Sequence, residues 1–127
     1  MERKISDIVK KLKGIKDVKA VILFGSYAKG EQKPYSDIDI CVFTDKNVDE
    51  GIKEMILSYS SKDYHLSIFW DLPLNFRFRV FKEGKVLFAR DSSWLAKIKF
   101  FTIRKYLDFR PRLERISEYY LNKKWPE

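Results

Sequence analysis

The sequence has few of the features that are typical of extracellular and membrane proteins, namely cysteine pairs, long apolar runs and a signal peptide. Its 127 residues include one cysteine, Cys41, so no disulfide can form within the chain. No apolar run approaches the roughly 20 residues that a membrane-spanning helix needs, and the N-terminus lacks the apolar segment of a signal peptide. We therefore expect a cytoplasmic protein without a membrane segment, in which Cys41 is a small, buried apolar residue.

Internal repeats, low-complexity tracts and linkers are also missing. A hydrophobic fraction of 45% and a charged fraction of 35% are typical of a globular chain and not of a disordered one. The length indicates a single domain over residues 1–127, which we divide into a core over about 1–91 and a helical extension over about 92–124.

Positive charge is concentrated near the C-terminus. The chain carries a net charge of +8, and residues 97–124 hold nine basic and three acidic side chains. Such a basic region could meet nucleic acid or an acidic partner protein. Because charge alone carries little specificity, nucleic acid is the less favoured partner.

Residues 20–43 are the stretch around which the rest of the chain is organised. Two apolar runs rich in β-branched and aromatic residues, 20–24 and 38–43, predict two buried strands. Side chains alternate between the faces of a strand, so Asp37 and Asp39 are expected on one side. Two neighbouring carboxylates repel each other unless a cation lies between them, and oxygen ligands suit Mg²⁺ or Mn²⁺ rather than zinc.

The polar connector between these strands predicts a phosphate site. Gly25 allows close approach of the backbone, and Ser26 is placed to cap a short helix whose free N–H groups could bind phosphate. Lys29 adds a positive charge close by. A phosphate cradle ten residues before a carboxylate pair suits a magnesium-bound nucleoside triphosphate.

Each pattern has a simpler explanation when taken alone. Gly25 and Gly30 could belong to an ordinary loop, and a P-loop is excluded because Glu31 and Gln32 follow where lysine and serine or threonine are needed. Two aspartates two residues apart often lie on a solvated strand edge. The combination of the glycine turn, the spacer and the aspartates is what favours nucleotide chemistry.

Gly25-Ser26, a ten-residue spacer and Asp37-Ile38-Asp39 together resemble the motif of the polymerase-β-type nucleotidyltransferase superfamily. The flanking residues 23–30 and 36–39 are similar to its small stand-alone branch, the minimal nucleotidyltransferases, and residues 82–91 weakly resemble the late strand of that domain. The resemblance implies an α+β (α/β) nucleotidyltransferase fold, with a mixed sheet flanked by helices.

The resemblance also implies a function and a set of site residues. ATP, as the NTP substrate, would donate AMP, with Gly25, Ser26, Lys29 and Ser36 binding the nucleotide. Asp37 and Asp39 would hold Mg²⁺ or Mn²⁺ and act in catalysis. The acceptor is expected to be a hydroxyl of a partner protein, because small members of this kind often act as antitoxins of a HEPN-domain RNase. RNA or a small molecule as acceptor, a homo-oligomer, and a non-catalytic module that neutralises a partner remain alternatives.

A third carboxylate, which such enzymes usually place on the next long strand, is not evident. His65, the only histidine of the chain, falls at or near that position and could accept a proton from a hydroxyl or bind a metal ion. Asp63 or Asp71 could serve instead if the strand register differs, and His65 could also be an ordinary strand residue.

Periodicity and turn residues predict the remaining elements. Phe76, Phe78 and Val80 alternate with Arg77 and Arg79, which favours a strand, whereas the family resemblance favours a helix, and we adopt the helix. The predicted helices are 2–13, 45–59, 74–81 and a long one that starts after a cap at Asp91 or Ser92, reaches about residue 123 and is broken or kinked near Pro111. The predicted strands are 18–24, 37–43, 63–70 and 86–88.

Overall fold

A computed structural model describes residues 2–25, 28, 30 and 38–124, with the backbone alone at residues 2 and 111–124. Helices and strands alternate along this part of the chain. They are α1 (Glu2–Lys13), β1 (Ala20–Phe24), β2 (Ile38–Phe43), α2 (Glu50–Leu57), β3 (Tyr64–Ile68), a 3₁₀ turn (Phe69–Asp71), α3 (Leu74–Glu83), β4 (Lys85–Ala89) and α4 (Ser92–Lys124). None of the described helices combines the length and apolar character that a membrane crossing requires.

The strands form one mixed sheet in the order β3-β2-β1-β4. Strand β1 is antiparallel to β2 and to β4, whereas β2 and β3 are parallel. In the β1–β2 pair Phe24 lies opposite Asp39, and in the β2–β3 pair Asp39 lies opposite His65. The predicted mixed sheet flanked by helices is confirmed, and one end of it brings these three residues side by side.

Side-chain alternation along the strands creates an apolar core on each face of the sheet. The core beneath α1 and α2 is formed by Ile8, Leu12, Val18, Val21, Leu23, Ala28, Ile38, Ile40, Val42, Ile56, Leu66 and Ile68. The core beneath α3 and α4 is formed by Ala20, Ile22, Cys41, Phe43, Phe69, Val80 and Leu95. Asp39 alternates with Ile38 and Ile40, so it belongs to the face that α3 and α4 cover.

Cys41 lies in that second core. It is fully buried, and burial raises the pKa of its thiol well above the ordinary value. A thiol held in the protonated form is a poor nucleophile. The interpretation of Cys41 as a small buried apolar residue is therefore confirmed.

Two of the helices start at aspartate caps. The side chain of Asp49 accepts a hydrogen bond from the backbone N–H of Gly51 at the start of α2. The side chain of Asp91 accepts hydrogen bonds from the N–H groups of Ser93 and Trp94 at the start of α4. Asp91 rather than Ser92 is thus the cap of the long helix, and α2 begins several residues later than the sequence pattern predicts.

The ambiguous stretch is helical, as the family resemblance implies. In α3 the side chain of Val80 is buried against the sheet, while the ring of Phe78 stacks on Tyr106 of α4 at a centroid distance of 3.9 Å. The guanidinium of Arg77 instead donates to the backbone carbonyls of Phe69 and Trp70. A helix directs these three side chains to three different neighbours, which a strand with two faces could not do.

Strand β3 ends at Ile68, whereas the alternating pattern predicts a strand to Trp70. Residues 69–71 form a 3₁₀ turn in which the N–H of Leu72 bonds to the carbonyl of Phe69. The indole N–H of Trp70 donates to the carbonyl of Thr44 at 2.7 Å, and the ring of Phe69 stacks on Phe43 at 4.3 Å. These tertiary contacts compete with continuation of the strand, so the prediction for Phe69 and Trp70 is wrong.

The long helix α4 continues through Pro111 to Lys124, so the proline does not end it. Proline removes one hydrogen bond, a loss that a helix of 33 residues can sustain. The kink near Pro111 stays a prediction. Helical spacing predicts that both Leu95 and Phe101 belong to the apolar face of α4; Leu95 is buried, as predicted, but Phe101 is 62% exposed, so that part of the prediction is wrong.

Candidate active site

The end of the sheet joins residues from three strands at one point. Asp39 on β2 lies between the end of β1 and His65 on β3. The distance from Asp39 Oδ1 to His65 Nδ1 is 3.6 Å, and the two side chains are 32% and 67% exposed. This distance is longer than a good hydrogen bond but close enough for both groups to contact one small ligand.

Gly25 brings the backbone against the Asp39 carboxylate. Its φ angle is 79°, a left-handed conformation that glycine adopts at little cost. A Cβ atom built on Gly25 would overlap Oδ2 of Asp39. Within the described residues, the group that Gly25 approaches is therefore the aspartate, and its approach to a nucleotide stays a prediction.

A pocket of about 390 Å³ opens beside these residues. The sheet and the segment around the start of α3 supply its lining: Phe24, Gly25, Asp39, His65, Ser67, Leu72, Pro73, Phe76 and Arg79. Small-molecule sites in proteins have volumes of roughly 300–1,000 Å³. The pocket is therefore large enough to hold much of a nucleotide beside the carboxylate.

The predicted site residues divide into two groups. Gly25, Asp39 and His65 are described and lie together in the pocket. The others, Ser26, Lys29, Ser36 and Asp37, lie outside the described residues, so their roles stay predictions.

The two aspartates considered as alternatives to His65 are engaged elsewhere. Asp63 Oδ1 lies 3.3 Å from Nζ of Lys4, and Asp71 Oδ1 lies 3.1 Å from Nζ of Lys53. The hydrogen bond with Asp71 raises the pKa of Lys53. Among the residues that the structure describes, no carboxylate other than Asp39 lines the pocket, and His65 is the titratable group opposite it.

Sequence reasoning missed the second wall of the pocket. Leu72, Pro73, Phe76 and Arg79 come from the turn after β3 and from α3. The sequence signal for this wall is the alternation of phenylalanine and arginine over residues 76–79. We used that alternation only to decide between a helix and a strand, and not to predict a binding surface. A motif that lies within two strands does not identify pocket residues that a separate helix contributes.

Comparison with known proteins identifies a matching family and several relatives. Residues 4–93 match the family described as polymerase beta, nucleotidyltransferase. A protein of Methanocaldococcus jannaschii named as a protein adenylyltransferase is 39% identical over 69 residues, which cover 54% of each chain. A second protein of this organism with the same name is 34% identical over 83 residues, which cover 56% of this chain and 79% of the relative. The chain thus spans about half the length of the first of these relatives.

Solved structures extend the similarity to nearly the whole chain. A chain of a toxin–antitoxin crystal structure with AMP-PNP is 24% identical, with a TM-score of 0.70, and the match covers 92% of this chain and 95% of that chain. A chain from a complex of a tri-AMPylated HEPN toxin of Shewanella oneidensis with its MNT antitoxin is 21% identical, with a TM-score of 0.64 and a coverage of 92% of each chain. At these identities the likeness shows the fold alone.

The matched residues 4–93 contain all four strands of the sheet, the Gly25 turn, Asp39 and His65. The match covers well over half of the chain, and the geometry of the site agrees with the motif that the sequence carries. The protein is therefore a member of the polymerase β-type nucleotidyltransferase family.

Proposed function

We propose that this protein is a metal-dependent nucleotidyltransferase that moves AMP from ATP onto a hydroxyl of a partner protein, such as a HEPN toxin. The observation that carries the proposal is the meeting of Gly25, Asp39 and His65 at the mouth of one pocket. This arrangement places a backbone turn, a carboxylate and a proton acceptor within reach of a single substrate.

The donor set suits a hard divalent cation. Asp39 presents a partly exposed carboxylate at the pocket, and Asp37 stands two residues before it in the sequence. Oxygen ligands of this kind suit Mg²⁺ or Mn²⁺. Asp37 and Asp39 would hold such an ion, which would supply electrostatic stabilisation of the charge that develops on the leaving pyrophosphate.

The residues of the chain then have distinct tasks. Gly25, Ser26, Lys29 and Ser36 would hold the triphosphate, and Asp37 and Asp39 would hold the metal ion. The acceptor oxygen forms a bond to the α-phosphorus as the bond to the bridging oxygen breaks. Pyrophosphate leaves with that electron pair, and His65 takes the proton of the hydroxyl.

The parallel pairing of β2 and β3 supports this role, because it sets His65 opposite Asp39. The side chain of His65 is well exposed, so an incoming acceptor can reach it, and it lines the same pocket as Asp39. We expect the His65→Gln variant to lower kcat roughly 100-fold, because general bases contribute about that much or more. The affinity for Mg·ATP, measured by calorimetry, should change less than about threefold.

The same experiment can count against the role of His65. Equal kcat values for wild type and His65→Gln would show that the proton goes elsewhere, for example to a base of the partner. An equal loss of kcat and of Mg·ATP affinity would instead indicate a nucleotide-binding role.

Protein as the acceptor is supported by the names of the relatives. The two relatives from M. jannaschii are named as protein adenylyltransferases, and one structural neighbour comes from a complex that contains a tri-AMPylated toxin. A partner can deliver its own hydroxyl, whereas an enzyme that extends RNA must also hold the nucleic-acid backbone.

The test is incubation of the purified protein with labelled ATP, Mg²⁺ and the co-transcribed partner. We expect label on a serine, threonine or tyrosine of the partner, and none with the Asp39→Asn variant. Efficient labelling of tRNA or a small molecule with an unlabelled partner would overturn the choice of acceptor.

A non-catalytic antitoxin is the second candidate. It is favoured by one observation, that no carboxylate besides Asp39 lines the pocket among the described residues. In the same experiment it predicts an unlabelled partner that is nevertheless inhibited at equal molar ratio, with Asp39→Asn inhibiting as well as wild type.

The partner is expected to contact α4. Two neighbouring rings on this helix, Phe100 and Phe101, are 58% and 62% exposed, and the helix carries several lysines and arginines. Exposed aromatic residues beside basic ones are common at protein interfaces. We expect the double variant Phe100→Asp, Phe101→Asp to weaken partner binding at least tenfold, measured by calorimetry with the purified partner.

A control for this prediction is available on α2. Leu57 is 39% exposed on the opposite side of the sheet, so Leu57→Asp should leave partner binding unchanged. Nucleotide affinity should be the same in both variants and in wild type. Unaltered partner affinity of the double variant would place the interface elsewhere.

A further inference from the structure

One wall of the pocket carries an aromatic ring and a guanidinium that the roles above do not use. Phe76 and Arg79 are three residues apart on α3, so their side chains are neighbours on the helix surface. The guanidinium carbon of Arg79 lies 5.9 Å from the centroid of the Phe76 ring. Both side chains line the pocket together with Asp39 and His65.

The two arginines of α3 have different surroundings. Arg77 is tied to the carbonyls of Phe69 and Trp70 and packs over both of their rings, which is a structural role. The guanidinium of Arg79 lies 3.8 Å from the Glu83 carboxylate, and the two side chains are 52% and 22% exposed. A single pair of this i,i+4 kind on a helix contributes only about 0.3–0.5 kcal/mol. Arg79 can therefore turn toward a ligand without giving up a strong contact.

Phe76 is also unusual for its exposure. Its ring is 42% exposed although it faces a pocket next to apolar Leu72 and Pro73. Burying such a ring against a flat ligand would remove apolar surface from water and add stacking. The ring would then serve as a platform for an aromatic ligand.

From this geometry we infer that Phe76 and Arg79 form a nucleotide subsite, in which Phe76 stacks on the base and Arg79 binds phosphate oxygens. This inference rests on the proposed function and extends it to residues outside the strand motif. All nucleic-acid bases can stack on aromatic side chains, and guanidinium groups bind phosphate through paired hydrogen bonds.

The charges in the pocket support a nucleotide rather than an acceptor on this wall. Arg79 is the only lysine or arginine lining the pocket among the described residues. A neutral hydroxyl acceptor gains little from a guanidinium, whereas a triphosphate carries several negative charges. Phe76 and Arg79 are neighbours on one helix. This spacing also suits a nucleotide, in which a flat base is joined to negatively charged phosphates.

Calorimetric titration with two probes separates the two roles. Mg·ATP has both base and phosphates, and magnesium tripolyphosphate has phosphates alone. We expect Arg79→Ala to raise the Kd for both probes roughly tenfold, since hydrogen bonds to charged groups are among the stronger ones. Phe76→Ala should raise the Kd for ATP roughly tenfold and leave that for tripolyphosphate unchanged.

Matched and conservative variants keep the result interpretable. Arg3→Ala and Met55→Ala remove an exposed arginine and an apolar side chain of 40% exposure on α1 and α2, away from the pocket, and should bind both probes like wild type. Phe76→Trp should retain ATP binding, and circular dichroism should show the same fold for all variants.

Several outcomes would overturn the subsite. Unchanged Kd values for ATP in Arg79→Ala and Phe76→Ala, with AMP transfer to the partner intact, refute it and leave the proposed function standing. A raised KM for the partner with an unchanged Kd for ATP would assign this wall to the acceptor instead. If the wild type binds neither probe, the proposed function fails together with the subsite.

Discussion

Replacing Asp39 with asparagine is expected to lower the rate of AMP transfer on the order of 1,000-fold. Among the described residues, Asp39 is the carboxylate that lines the pocket, at the junction of β1, β2 and β3. An amide keeps the size of the side chain but loses the negative charge that would hold a divalent cation in the proposed reaction. Metal ions supply several kcal/mol of transition-state stabilisation, and each 1.4 kcal/mol is about tenfold in rate.

Two measurements check this expectation. Single-turnover labelling of the partner gives the rate, and calorimetry gives the affinity for ATP with and without Mg²⁺. The variant should fold as wild type does, because the side chain is partly exposed and nearly the same size. Identical Mg²⁺-dependent affinity in wild type and variant would refute the role of Asp39 as a metal ligand.

The substitution Gly25→Ala should be nearly as damaging, for a steric reason. A methyl group at this position would overlap the Asp39 carboxylate, and the left-handed backbone disfavours any residue with a Cβ. We expect the unfolding free energy to fall by about 1–2 kcal/mol from the backbone term, and AMP transfer to fall at least 100-fold because the carboxylate is displaced. Thermal unfolding and the labelling assay measure the two effects separately.

Gly30 provides a matched control. Its φ angle is 73°, close to that of Gly25, but a Cβ built on it meets no described atom within 4 Å. Gly30→Ala should therefore lose a comparable amount of stability and retain its activity. If both variants lose activity equally, backbone strain and not displacement of Asp39 explains the effect.

Much of the site could be predicted from the sequence, because its central part is local. Gly25 and Asp39 lie at the ends of two strands that follow each other in the chain and pair antiparallel. The position of Asp39 between Ile38 and Ile40 in an otherwise apolar strand is enough to place it on the face opposite to theirs. Short sequence separation and a strict period of two leave few other arrangements.

Local signals also determined several elements. Helical spacing of Ile5, Ile8, Val9 and Leu12 predicts one apolar face on α1. Ile8 and Leu12 are buried, and Ile5 and Val9 are partly buried against the same core. Asp91 was one of two residues expected to cap the last helix, and its side chain accepts the two N–H groups at the helix start. Caps and amphipathic faces depend on residues a few positions apart, so they can be read without knowledge of the fold.

Only the tertiary structure decided which residue faces Asp39 across the site. The sequence left His65, Asp63 and Asp71 open, because Asp63 and His65 share one face of the strand and a shift of two residues in strand pairing would exchange them. The parallel register of β2 and β3 places His65 opposite Asp39, while Lys4 and Lys53 pair with the two aspartates. Strand register and distant ion pairs arise from the whole packed molecule.

The sequence likewise did not predict that Phe76 and Arg79 form a wall of the pocket. Whether residues 74–83 form a helix depends on burial of Val80, stacking of Phe78 on Tyr106 and the bonds of Arg77 to the turn before α3. These contacts join residues far apart in the chain, and their free energy outweighs the local alternation that favours a strand. The chain alone therefore determined the strand motif and its chemistry, whereas packing between distant elements decided what surrounds it.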